Sequence, residues 1–383
     1  MNRKTRAIST LIFLLAAISS SSFPQQKELA VRVAVPSSTP RDANIFIVGN
    51  YTSLGAWDPG TAMMNRENDS VWSFRSSFDE GSHLEFKITR GSWNNEALYQ
   101  PGIIPANVVV DLKSDTTVVL RPISWRDFGF RFEGGITGTV KYYRGLKSPA
   151  LTNARDVIVW LPPSYEKETS KRYPVLYMHD GQNIVDPSTS YAGYDWRVDE
   201  VADSLIKASS IDEIIIVGIY NTQDRLPEYS DTPLGKAYAD FVVHTLKPML
   251  DSAYRTLPDR KNTAVMGSSM GGLISFLFAW WYPDVFSKAG CLSSAFLVDS
   301  NKILTELRAY AGPKKGIRIY LDDGSEGLEA RLKPGYDEMV EILKSKGYVK
   351  GVDLEYFYDE GAGHNERAWA RRVWRPLVFM FGK

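Results

Sequence analysis

The stretch Gly267-Ser268-Ser269-Met270-Gly271-Gly272 restricts the fold of this chain more than any other. It follows a short apolar run, Thr263-Ala264-Val265-Met266, and precedes Leu273-Ile274-Ser275-Phe276-Leu277-Phe278-Ala279-Trp280-Trp281, which is long enough for a buried helix. A chain that passes from strand to helix through one sharp turn needs neighbours without side chains around the turning residue. Gly267 and Gly271 stand two residues to either side of Ser269, whereas Ser268 has no such pair. Register therefore selects Ser269 as the exposed hydroxyl and the candidate nucleophile. The first N–H groups of the following helix, Met270 among them, point at the same spot, where a developing oxyanion can be held.

With 383 residues, 44% hydrophobic and 12% aromatic, the chain has material for two or three domains with real cores. Its 45 basic and 45 acidic residues balance, without a long run of either sign, which argues against a nucleic-acid partner. Residues 1–22 read as a secretory signal peptide: Arg3, Lys4 and Arg6, then an apolar run over 8–18, then serines 19–22. That run is too short to span a bilayer, so the expectation is a secreted or periplasmic protein with no membrane span. Cys291 is the only cysteine, which excludes an intramolecular disulfide; its apolar surroundings predict a buried strand residue.

Between residues 28 and 122, short runs rich in β-branched and aromatic residues recur at 29–35, 45–48, 71–78, 83–89, 108–112 and 116–120. Their spacing predicts a small all-β sandwich. Residues 123–150 read as a linker and the first hairpin of a second domain, 151–383. There the pattern changes to strand–helix alternation, with strands at 157–161, 175–178, 213–219, 263–266, 286–292, 317–321 and 354–358. Helices are expected between most of these, including 236–254 and 336–346. Such alternation predicts an α/β fold with a mainly parallel sheet covered on both faces.

Ile47-Val48-Gly49-Asn50, Leu54-Gly55-Ala56-Trp57-Asp58-Pro59, Val71-Trp72-Ser73-Phe74 and Leu84-Glu85-Phe86-Lys87-Ile88 follow one another in the front domain. In that order they resemble the starch-binding modules of carbohydrate-binding family 20. The resemblance implies two exposed aromatics that stack on glucose rings. Trp57 matches the first by motif, and Trp93 takes the place of the second by position. Trp72, inside a strand, is expected in the core. A domain of this kind either binds glucan or serves as a spacer.

A serine hydroxyl needs a base to take its proton, and the chain has four histidines: His83, His179, His244 and His364. His83 lies in the β-domain and His244 inside an expected helix. Of the remaining two, only His364 follows Ser269, in Gly363-His364-Asn365-Glu366 after the strand at 354–358, as the order serine, acid, histidine requires. The acid belongs between them, after the strand at 317–321, where Asp322, Asp323 and Glu326 are all within reach and spacing does not choose. Gly181 and Gln182, in His179-Asp180-Gly181-Gln182-Asn183, follow an early strand and are the candidates for backbone donors that complete an oxyanion hole with Met270.

These motifs, with Tyr194-Asp195-Trp196-Arg197-Val198-Asp199-Glu200 and with Arg225 beside Glu228-Tyr229, resemble the esterase-D-like esterases. That group includes enterochelin esterases, carbohydrate esterase family 1 and mycolyltransferases. The resemblance covers residues from about 136 to the end. It implies an α/β-hydrolase fold and a Ser-acid-His triad that uses no metal and no cofactor. Relatives read Asp-x-Gly-x-x-Glu-Gly where this chain has Asp322-Asp323-Gly324-Ser325-Glu326-Gly327, one residue shorter. Aligning the Glu-Gly pair favours Glu326 as the acid, with Asp323 second. The expected activity is hydrolysis of carboxylic esters, with an acyl group on carbohydrate or a related small molecule as substrate. An acyltransferase of the same fold and a non-catalytic glycan-binding protein are the alternatives.

Overall fold

A computed structural model of the chain describes residues 25–99, 105, 107–128 and 135–383. The expected signal peptide and part of the 123–150 linker lie outside the described residues. The chain divides into two compact units between residues 130 and 131.

The first unit is a β-sandwich of two four-stranded sheets. One runs Asn65–Asn68, Val71–Asp79, Gln26–Ala34, Thr116–Leu120, the last pair being parallel. The other runs Ala62–Met63, Phe46–Gly49, Ser82–Thr89, Val108–Leu112. In Ser82–Thr89, Leu84, Phe86 and Ile88 are buried while His83, Glu85 and Lys87 are only partly covered, the period-two pattern of a strand with one face on a core. Leu29, Val31, Ile47, Phe86 and Trp125 fill that core, and Trp72 joins them at 2% exposure, as its position in a strand predicts.

The second unit is built on one eight-stranded sheet: β1 (Thr139–Ser148), β2 (Leu151–Leu161), β3 (Val175–His179), β4 (Ile215–Ile219), β5 (Thr263–Ser268), β6 (Lys288–Leu292), β7 (Arg318–Glu326) and β8 (Leu354–Gly363). Their spatial order is β1-β2-β4-β3-β5-β6-β7-β8, antiparallel at β1-β2 and β2-β4 and parallel from β4 onward. Every residue of β3, β4 and β5 is buried, so these strands read as continuous apolar runs rather than as alternating ones. One face packs on Leu273, Phe276 and Phe278; the other packs on Trp196, Trp369 and Leu377. Because β3 and β5–β8 run in parallel, the loops that leave their C-terminal ends gather at one edge, which is where a site can form. Cys291 is buried in β6, and burial pushes its thiol far above the ordinary range, so it stays an inert thiol.

Three local expectations are corrected. The helix expected over 236–254 is Pro233–Phe241, a π-helical turn Val242–Leu246, and Lys247–Ala253. Pro248 has no N–H for the carbonyl of His244, and the ladder slips there. The strand expected at 317–321 continues to Glu326, so the acidic stretch lies on a strand and not in a loop. The helix expected at 336–346 starts at Leu328 and runs through Pro334 to Ser345.

Candidate active site

Ser269 sits between β5 and the helix Met270–Trp281 with φ 57° and ψ −123°, a conformation that costs a non-glycine residue about 1–3 kcal/mol. Close packing enforces it. A Cβ on Gly267 would lie 2.6 Å from the Gly271 carbonyl oxygen, so the two flanking glycines touch backbone to backbone. The Ser269 N–H donates to Leu292 O (2.9 Å) and its carbonyl accepts from the Ala295 N–H (3.1 Å), tying the turn to the loop after β6. Ser269 is half-buried, whereas Ser268 is buried on the strand.

The loop after β3 comes next to this turn. Asp180, at φ 56°, has an oxygen 3.1 Å from where a Gly271 Cβ would stand. Its carboxylate accepts from Arg225 Nε (2.7 Å), an Arg225 terminal nitrogen (2.8 Å) and Asn221 Nδ2 (2.6 Å). Burial alone would push this carboxyl up, but the Arg225 charge and these hydrogen bonds hold it below its ordinary value. A Cβ on Gly181 would fall 2.2 Å from the Gly218 carbonyl carbon, so only glycine lets the loop lie against β4. Residues Gly181–Asn183 form a single tight turn closed by Asn183 N–H donating to Asp180 O (2.9 Å), which leaves the Gly181 and Gln182 N–H groups without a partner inside it. His179 is a core residue: its Nδ1 lies 2.8 Å from the Tyr238 hydroxyl, and burial holds its pKa down to about 3, so it stays neutral.

His364 follows β8. Asn365 caps the next helix, Glu366–Arg372, by accepting from the Ala368 N–H (3.0 Å), and the imidazole stands edge-on to Trp369 with centroids 5.0 Å apart. The carboxylate facing His364 Nδ1 is that of Glu329, with Oε2 at 3.5 Å. Glu329 is fully buried in the first turn of Leu328–Ser345. Its Oε1 accepts from Ser293 Oγ (2.6 Å), and Ser293 Oγ in turn accepts from Trp369 Nε1 (2.9 Å) and Arg372 (2.5 Å). Ser293 stands between Leu292 and Ala295, the two residues that hold the Ser269 backbone, so the elbow and the His364–Glu329 pair share one support. Burial works against an ionised Glu329, yet the neighbouring His364 and Asp323 and the hydrogen bond from Ser293 outweigh it and hold the carboxyl below its ordinary value.

Glu326, the acid favoured by the family alignment, is not at this position. It ends β7, exposed, with Ser325 Oγ 3.2 Å from its Oε1. Glu329, three residues on, occupies the Nδ1 side of the imidazole. Asp322 is committed elsewhere: it pairs with Arg372 (3.0 Å) and accepts from the Tyr320 hydroxyl (3.1 Å). Asp323 is buried beside Glu329.

In the first unit, Trp57 has φ 65°, donates its N–H to Gly49 O (2.8 Å) and is half-buried. Trp93 opens the short turn Trp93–Asn95, capped by Ser92, and is also half-buried. Neither belongs to the sandwich core.

Among the described residues, Asp195, Asp199 and Glu200 are the one group whose oxygens gather as metal ligands would, within 4.8 Å of one another. Burial pushes Asp195 up to about 7 and Asp199 up to about 8, Asp199 being raised further by hydrogen bonding with Glu200. Carboxyls raised in the fold keep their protons to higher pH than their unfolded counterparts, so the contribution of this cluster to stability is full at low pH and is lost as pH rises from about 4 through 8. Asp195→Asn should flatten that decline; thermal unfolding at pH 5 and pH 8 measures it, and an unchanged slope would remove the cluster as its source.

The "Putative esterase" family model matches residues 148–378. The chain belongs to that esterase family. A starch-binding-domain model matches residues 28–118, the sandwich. An uncharacterised protein of Bacillus subtilis (strain 168), YbbA, is 22% identical over 260 residues, 63% of this chain and 98% of its own. An endo-1,4-β-xylanase/feruloyl esterase of Xylanibacter ruminicola is 27% identical over 230 residues, 58% of this chain but only 29% of that protein. A solved ferulic acid esterase superposes with a TM-score of 0.52 at 24% identity, covering 63% of this chain and 98% of its own, a likeness in fold. This esterase is thus a carboxylic ester hydrolase whose front domain matches a starch-binding-domain model. No helix among the described residues is long and apolar enough to cross a membrane.

Proposed function

We propose that this protein is a secreted or periplasmic serine esterase that removes acyl groups from carbohydrate or a related small molecule. Ser269 Oγ attacks the ester carbonyl carbon while His364 takes its proton. The N–H groups of Met270, Gly181 and Gln182 hold the oxyanion, and His364 returns the proton to the departing alcohol. Water, deprotonated by the same imidazole, then attacks the acyl-enzyme and releases the acid. Glu329 fixes the imidazole tautomer and stabilises the imidazolium. The observation that carries this reading is the strained Ser269 turn, held by the same loop that supports the His364–Glu329 pair. A contact of 3.5 Å is loose for a catalytic hydrogen bond in a free enzyme and is expected to tighten when the imidazole becomes charged.

A starch-binding domain and a feruloyl-esterase relative support carbohydrate as the alcohol side. The test is a panel of p-nitrophenyl esters, feruloyl esters and acetylated sugars, with and without an acceptor alcohol, alongside fluorophosphonate labelling. Free acid as the product supports hydrolysis. Transfer to the acceptor would make it an acyltransferase, and no labelling with no turnover would leave a glycan-binding protein. For the sandwich, Trp57→Ala should weaken retention on starch with a near-native melting curve and unchanged turnover of a small soluble ester, because a half-buried loop indole contributes little to the core. A drop in stability of about 3–5 kcal/mol would make Trp57 a packing residue instead.

A further inference from the structure

Asp323 on β7 is fully buried, yet neither of its carboxyl oxygens meets a well-placed hydrogen-bond donor, and neither does Glu329 Oε2. The groups around it leave little choice of partner. On its own strand stand Asp322 and the Gly324 N–H; on Leu328–Ser345 stand Glu329 and Tyr336. Tyr358 pairs with it in register from β8, and beyond Glu329 lie His364, Ser293 and Arg372. The Arg372 guanidinium, the one buried cation of this group, reaches Asp322 (3.0 Å), Ser293 and the Oε1 of Glu329 (3.5 Å), on the oxygen that also accepts from Ser293. Two ionised carboxylates side by side without a cation between them, away from water, would repel strongly.

We propose that Asp323 keeps its proton and donates it to the Glu329 carboxylate, so that the acid behind His364 is a proton-sharing pair and Asp323 is its positioning residue. This rests on the assignment of Glu329 made above. The shared proton lets the carboxylate facing His364 bear one negative charge while its orientation is set from behind, by Ser293 on one oxygen and by the Asp323 carboxyl. Burial first, then Glu329, push Asp323 up to about 9. Above that pH the pair carries two charges, the carboxylates separate, and the imidazole loses its support.

The test compares Asp323→Asn with Asp323→Leu in the full-length protein across pH 6–10. Asparagine supplies an N–H in place of the O–H, so D323N should retain kcat within about fivefold of wild type at pH 7, whereas D323L, of similar size but with no donor, should lose about tenfold to a hundredfold. Wild-type kcat should fall along an alkaline limb near pH 9, and D323N should lack that limb. Should D323L fail to fold, the presence or absence of the limb in D323N decides alone. The proposal is overturned if D323N keeps the wild-type limb, or if D323N is as impaired as D323L while E329Q is inactive. If E329Q retains wild-type turnover and D323N is inactive, Asp323 is itself the triad acid, and the Glu329 assignment fails as well.

Discussion

Ser269→Ala should abolish ester turnover, with a fall of several orders of magnitude in kcat, while Ser268→Ala should keep much of it. The two hydroxyls are neighbours in sequence and opposites in structure. Ser268 ends a buried strand, and Ser269 occupies the strained, half-buried turn tied through its backbone to the loop after β6. Steady-state kinetics on a p-nitrophenyl ester, with thermal unfolding as the check on folding, distinguish them. Full activity in S269A would sink the serine mechanism; equal losses in both would leave the choice between the serines open. Relief of an unfavourable φ gives a second readout. Ser269→Gly should be as inactive as S269A but more stable, because glycine adopts positive φ at no steric cost.

The second large effect separates two glutamates three residues apart. Glu329→Gln should lower kcat by about 10³- to 10⁴-fold, the order seen when a triad acid loses its charge but keeps its shape. Glu326→Gln should behave as wild type, since its carboxylate is exposed at the strand end and hydrogen-bonds Ser325 rather than facing the imidazole. The reverse pattern would restore the alignment's assignment and remove the structural one. Neutral imidazole must accept the Ser269 proton, so kcat/KM should fall on the acidic side.

What the sequence determines by itself is whatever depends on neighbours a few residues away. Period-two burial in Ser82–Thr89, the unbroken apolar runs of β3, β4 and β5, and the Gly267/Gly271 spacing around Ser269 are all local patterns, and the structure repeats them. Strand–helix alternation was likewise enough for a mainly parallel sheet, and chain order after Ser269 left His364 as the histidine. The acid was different. Pro334-Gly335 reads locally as a stop, which leaves 327–333 as loop; in the fold the helix passes through Pro334 and its first turn carries Glu329. Extension of β7 to Glu326, paired with β8, then places Glu326 at the exposed strand end, while the helix start returns Glu329 beneath His364. The roles of Ser293 and Arg372 were equally hidden, because they arise between segments 36 and 79 residues apart in the chain. Short-range spacing encodes backbone conformation, whereas the choice among equivalent carboxylates depends on which one packing buries against the imidazole, and only the tertiary structure decides that.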